Sequence, residues 1–145
     1  MFDGLDHLAI VVGDTDEALR TWRDRFGFPV LFTELIGDGD LRVTHLDLGN
    51  THLQLIEPLR QDHPLKKWLE AHGPGLHHFC LKVKSIESTA EEMRGSGLKA
   101  GEPHPHQGTQ GQKALFLDLA STGGIQVEIT GASDADGARH RGHRT

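Results

Sequence analysis

The sequence has a single cysteine, Cys80, among 145 residues, so no disulfide can close within the chain. That suits a reducing compartment, and a cytoplasmic protein is the expectation. No apolar run approaches the roughly 20 residues that span a bilayer, so no membrane partner is expected. The opening MFDGLDHLAIVVGD has no basic stretch ahead of its short apolar run, so no signal peptide is expected either. There is no basic excess: the formal net charge is −6, with acids and bases interspersed. That argues against nucleic acid as a partner. The length is enough to bury a core without a disulfide or a structural metal.

What the chain does have is a repeat. GLDHLAIVV begins at Gly4 and GLHHFCLKV begins at Gly75, 71 positions later. Each is followed by a polar turn and an amphipathic helix. The first helix opens with Asp14 and Glu17, a capping-box spacing. It carries Ala18, Leu19, Trp22 and Phe26 at helical intervals, and Gly27 closes it. The second starts near Ser85, carries Ile86, Ala90 and Met93, and stops near Gly95 or Gly97. Strands follow both. PVLFTELI, LRVTHLDL and THLQLIEP belong to the first half. A short strand before the polar loop EPHPHQGTQGQ, then KALFLDL and IQVEIT, belong to the second. Between the halves, PLKKWLEAHG reads as a short helix with Pro64 in its first turn and Gly73 beyond its end. Lys66 and Lys67 belong on its exposed side, Trp68 and Leu69 inward or at a dimer contact.

The expected fold class is therefore α+β: two tandem βαβββ modules forming an open, curled mixed sheet around a metal-binding cavity. Module one spans 4–58, the linker helix lies within 59–74, and module two spans 75–131, together one domain over 1–132. The tail 133–145, with His140 and His143, has no apolar residue beyond alanine and is expected to be disordered.

Strand parity then selects the cavity residues, because neighbouring side chains point to opposite faces. Leu8, Ile10 and Val12 form a helix-side face, which leaves His7, Ala9 and Val11 on the other. Phe79, Leu81 and Val83 do the same in the repeat and leave His78, Cys80 and Lys82. Leu53 and Leu55 flank Gln54; Val127 and Ile129 flank Glu128. His7, Gln54, His78 and Glu128 thus face inward, with 47 positions between the first two and 50 between the last two. Buried ionisable groups need partners. Two imidazoles, an amide oxygen and a carboxylate suit a divalent transition metal. His77, on the opposite parity, belongs at the helix side or rim and is not expected to ligate. Cys80 has nothing nearby in sequence to activate it as a nucleophile and reads as a small packing residue.

With these residues in place, the chain resembles the vicinal oxygen chelate superfamily, which includes glyoxalase I, methylmalonyl-CoA epimerase and extradiol dioxygenases. The resemblance covers about residues 4–131. DHLAIVV, LQLIEPL, DHPLKKWLEAHGPGLHHFCLKV and STGGIQVEI look most like methylmalonyl-CoA epimerases. It implies a metal held by His7, Gln54, His78 and Glu128, with Co²⁺, Ni²⁺, Zn²⁺ or Mn²⁺ as the usual ion, and a homodimer. One departure is Asp118-Leu119-Ala120, where similar epimerases carry His-Pro-Lys. Another lies on the strand Leu41–Leu48, where some relatives place a second glutamate and this chain has none. The cavity-side positions there are Val43, His45 and Asp47. His45 sits across from Gln54 if Gly49-Asn50 is a two-residue hairpin turn, and is either a second proton carrier or a polar wall residue.

The resemblance implies an isomerase that deprotonates a small-molecule substrate, an acyl-CoA, beside its thioester carbonyl through a metal-stabilised enolate. Glu128 would be both ligand and base, with His45 or Asp47 opposite. The alternatives are a glyoxalase I-type lactoylglutathione lyase, which would use the same ligands, and a non-enzymatic small-molecule-binding protein. An extradiol dioxygenase fits less well, because Gln54 would be a superfluous ligand beside a two-His–one-carboxylate iron site. His104 and His106 alternate as in a two-histidine clip, but composition favours a polar loop, one able to close over the cavity as a lid.

Overall fold

In a computed structural model of the chain, residues 1–133 are described; the tail beyond, with His140 and His143, lies outside the described residues. The strands are β1 (Leu5–Val11), β2 (Val30–Ile36), β3 (Leu41–Asp47), β4 (His52–Pro58), β5 (Gly75–Ser85), β6 (His106–Gln107), β7 (Lys113–Phe116) and β8 (Val127–Ala132). The helices are α1 (Thr15–Leu19), which continues as a π-helical segment Arg20–Arg25, then α2 (Pro64–His72) and α3 (Ile86–Met93). The chain is α+β, and each half has the expected order of strand, helix and three strands. It divides into two compact units, His7–His78 on one hand and Met1–Asp6 with the chain from Phe79 on the other. Strands β1 and β5 each run through that division.

In the unit His7–His78 the strand order is β2-β3-β4-β1. The two hairpin pairs are antiparallel, while β1 and β4, first and last of the module, are parallel. Ile10, Val12, Leu19, Leu46, Leu53 and Leu55 form the helix-side core, joined by Leu8, Ala18, Trp22, Phe28 and Leu48. The opposite face has its own smaller core of Ala9, Val43 and Ile56. The N-terminus of α1 is fixed as the sequence predicts, with the Asp14 carboxylate accepting from the Glu17 amide at 3.0 Å. Pro64 begins α2, and Gly73 ends it with φ 77°, a left-handed backbone that favours glycine.

Phe26 departs from expectation. Helical spacing puts it with Leu19 and Trp22, yet it is 60% exposed. The reason is the π-helical segment, whose wider i→i+5 turn carries the last residues out of phase with α1. Phe26 instead stacks between Trp22 and Phe28, at centroid distances of 5.0 and 5.6 Å.

In the other unit the order is β5-β8-β7-β6, again with first and last strands parallel. Its core holds Val83, Ile86, Met93, Leu115, Leu117, Val127 and Ile129, with Phe79 and Leu81 packed alongside. Ser85 caps α3 by accepting from the Ser88 amide. A Cβ at Gly131 would overlap the Val83 carbonyl, so β8 lies this close to β5 only because that position has no side chain. The sequence places a short strand before the polar loop. The structure has only a single bridge there, Ala100 to Leu117, and the two-residue β6 inside the loop itself.

Candidate metal centre

Each predicted ligand lies where parity sends it, on the sheet face away from the helix-side core. The hairpin turn at Gly49-Asn50 sets the first module's register: the Leu48 amide donates to the Thr51 carbonyl at 3.0 Å, and His45 pairs with Gln54. In the parallel pair β1–β4, Ala9 is the partner of Gln54. In the parallel pair β5–β8, Cys80 is the partner of Glu128. Ala9 and Cys80 are the same position of the two repeats, each two residues beyond a histidine, His7 or His78. The two modules therefore repeat the same arrangement, each with one buried imidazole and one buried oxygen-bearing side chain at equivalent positions. All four polar residues are buried.

The His7 and His78 rings are 5.6 Å apart and edge to face. His78 Nδ1 lies 2.8 Å from His77 Nδ1. The His77 ring in turn meets Trp68 of α2 edge-on at 5.1 Å. His77 thus points to the linker-helix side, as parity requires, but it also contacts the ring it precedes. Successive residues of a strand rarely touch; here both rings lie close enough along the backbone for their Nδ1 atoms to meet.

His45 is fully buried. Its Nε2 lies 2.7 Å from Glu34 Oε2, and its ring stacks on Phe32 at 4.2 Å. A carboxylate in this contact accepts, so Nε2 carries the proton and Nδ1 the lone pair. Among the described residues Nδ1 has no hydrogen-bond partner. Burial lowers the pKa of His45 below the ordinary histidine value, and the opposing pull of Glu34 does not restore it. The ring is neutral at neutral pH. Phe32, Glu34 and Ile36 share the face of Val43 and His45 only because the β2–β3 register shifts between Val30 and Phe32.

In the second module Glu128 Oε2 lies 3.0 Å from His106 Nε2, and His106 Nδ1 lies 2.8 Å from Glu102 Oε2. The same Glu102 oxygen accepts from the Phe116 amide at 2.7 Å, and the Phe116 ring stacks on His106 at 5.0 Å. Burial disfavours a charge on His106, but two glutamates outweigh it and raise its pKa. The loop reading of 102–112 is therefore corrected at His106, which is half-buried in β6, while His104 is exposed. No sequence period marks a two-residue strand. Cys80 is fully buried, and burial followed by the nearby Glu128 charge pushes its thiol well above the ordinary range. It is an inert thiol, as its sequence context predicts.

Buried imidazole, amide and carboxylate donors at repeat-equivalent positions are of the types that suit a divalent metal. Paired βαβββ modules with half-sites of this kind define a class of chelating proteins. The family model of the Glyoxalase/Bleomycin resistance protein/Dioxygenase superfamily matches residues 6–116, and the chain belongs to that superfamily. It is 30% identical over 131 residues to the ethylmalonyl-CoA/methylmalonyl-CoA epimerase of Cereibacter sphaeroides, covering 89% of this chain and 98% of that protein. It is 28% identical over 139 residues to the uncharacterised protein YqjC of Bacillus subtilis, covering 96% and 97% of the two chains. Among solved structures it is similar to a Streptomyces coelicolor methylmalonyl-CoA epimerase variant in complex with 2-nitronate-propionyl-CoA. That match has a TM-score of 0.80 and 28% identity, with 91% of this chain and 99% of that chain covered. No helix of the described residues is long and apolar enough to cross a membrane.

Proposed function

We propose that this protein is a divalent-metal-dependent isomerase that moves a proton at the carbon beside a thioester carbonyl, with an acyl-CoA of the methylmalonyl type as substrate. The observation that carries this reading is the duplicated half-site: Gln54 opposite Ala9 and Glu128 opposite Cys80, each following a buried histidine. The epimerases among its relatives supply the substrate class. His7, Gln54, His78 and Glu128 would hold the ion; with Nδ1 engaged by His77, His78 would offer Nε2. A divalent ion bound there supplies positive charge that stabilises negative charge developing on substrate oxygens.

The remaining chemistry falls to side chains. Glu128 and His45 are the two proton carriers of this reading: Glu34 holds the His45 Nε2–H, and the depressed pKa of His45 keeps its ring in the form that accepts a proton at Nδ1. Burial of both groups excludes bulk water, which would otherwise quench the carbanionic carbon. Leu31 and Leu35 of β2, the outer strand of its module, are largely exposed, which supports a homodimer.

The test is solvent exchange. One epimer of methylmalonyl-CoA, incubated with Co²⁺-loaded protein in D₂O, should acquire deuterium at C2 and yield both epimers. His78→Ala should lose both the stoichiometric metal and the exchange. No deuterium at C2 with the wild-type protein would sink the proposal.

A further inference from the structure

His106 is fixed on three sides: Glu102 at Nδ1, Glu128 at Nε2, and the Phe116 ring against its face. Glu102 is itself anchored, because the oxygen that meets His106 also accepts from the Phe116 amide. Phe116 is the β7 partner of Glu128, so the ring that stacks on His106 and the carboxylate that His106 meets stand side by side in one register. Such a clamp is more than an exposed loop histidine needs. His104, two residues earlier, is exposed.

We infer that His106 is a positioning residue: it holds the Glu128 carboxylate by Oε2 and so fixes how that carboxylate meets a divalent cation. The inference rests on the metal site proposed above. Its physical basis is general. A carboxylate free to rotate loses orientation entropy on binding and can wander between one-oxygen and two-oxygen coordination. A carboxylate already tied by a hydrogen bond pays neither cost. Glu102 acts one step further out, by fixing which way the imidazole faces. The loop 102–112 is then the mount for a ligand's support, and β6, though only two residues long, sets its register against β7 through the pair His106–Ala114.

The experiment measures cobalt affinity of chelator-stripped protein by competition with a chromophoric chelator, alongside the visible spectrum of the Co²⁺ form. Wild type, His106→Ala, His106→Gln, Glu102→Gln and the exposed control His104→Ala are compared, with circular dichroism to check folding. His106→Ala should bind Co²⁺ about 10–100-fold more weakly and shift the ligand-field bands. His106→Gln, which keeps an N–H donor, should recover part of both. Glu102→Gln should fall between, and His104→Ala should match wild type. If His106→Ala does not fold, the Gln variants carry the test alone. Wild-type affinity and spectrum in the folded His106 and Glu102 variants would overturn the inference while leaving the metal site intact. Absence of stoichiometric cobalt in the wild-type protein would overturn both.

Discussion

His45 in the first module and His106 in the second both meet a glutamate at hydrogen-bond distance, yet their acidities move in opposite directions. His45 has one carboxylate and no contact with water, so desolvation wins and the ring stays neutral. His106 is about one-third exposed, at 31%, and has two carboxylates, so its pKa is raised. A histidine–glutamate contact therefore does not by itself say whether the histidine is charged. The count of carboxylates and access of water decide it. The consequence is a contrast in acidity: surroundings favour the neutral ring in the first module and shift the second ring toward its charged form.

Truncation should break this comparison most sharply. His45→Ala removes a fully buried ring stacked on Phe32 and leaves Glu34 without its imidazole. We expect a loss of about 2–4 kcal/mol in urea unfolding, the range of a large-to-small core substitution. His106→Ala, at a partly solvated site, should cost about 1 kcal/mol in the same assay. Equal losses would show that the two sites are not different environments.

Catalysis should separate them next. His45→Gln should lower epimerisation about 10²–10⁴-fold, as expected for removal of a general base. Its folding stability should change less than that of His45→Ala. Glu34→Gln should reduce the rate by a smaller factor, because His45 survives but its tautomer is no longer fixed. A rate unchanged in His45→Gln would make that residue a polar wall and nothing more.

Acidity gives a subtler contrast, read on chelator-treated protein by urea unfolding between pH 5 and 8. His106 has a raised folded pKa. Its contribution is full below the ordinary histidine value of about 6.5 and is lost as pH rises through the folded value. His45 has a lowered folded pKa. Its contribution is present above about 6.5 and is lost as pH falls through the folded value. Substituting His106 should therefore remove stability mainly on the acid side, and substituting His45 mainly on the neutral side. The smallest effect belongs to His77→Ala. It takes one contact from His78 Nδ1, and should weaken cobalt binding less than tenfold in the competition assay.

The repeat makes much of this legible in the sequence. Parity on β1, β4, β5 and β8 needs only a strand of alternating residues and a helix to cover one side, and both halves supplied them. The register of His45 against Gln54 followed from one turn dipeptide. What escaped had physical causes of three kinds. Phe26 left the core because a π-helical segment changed the period mid-helix. Glu34 was hidden because the β2–β3 register shifts between Val30 and Phe32, and parity read from the strand's start does not survive a bulge. His106 lies in a strand too short to have a period, and its value comes from Glu102 and Glu128, four and 22 residues away. Tertiary contacts of that kind leave no local mark.

Cys80 offers a last consequence. It is the chain's single thiol, wholly enclosed, and paired in register with Glu128. A disulfide reagent added to the native protein has no other sulfhydryl to find, and this one cannot react until β5 comes away from β8. The rate at which colour develops is then a clock for local opening of the second half-site. Slowing of that clock by added cobalt would report, without any mutation, how tightly the ion locks these two strands together.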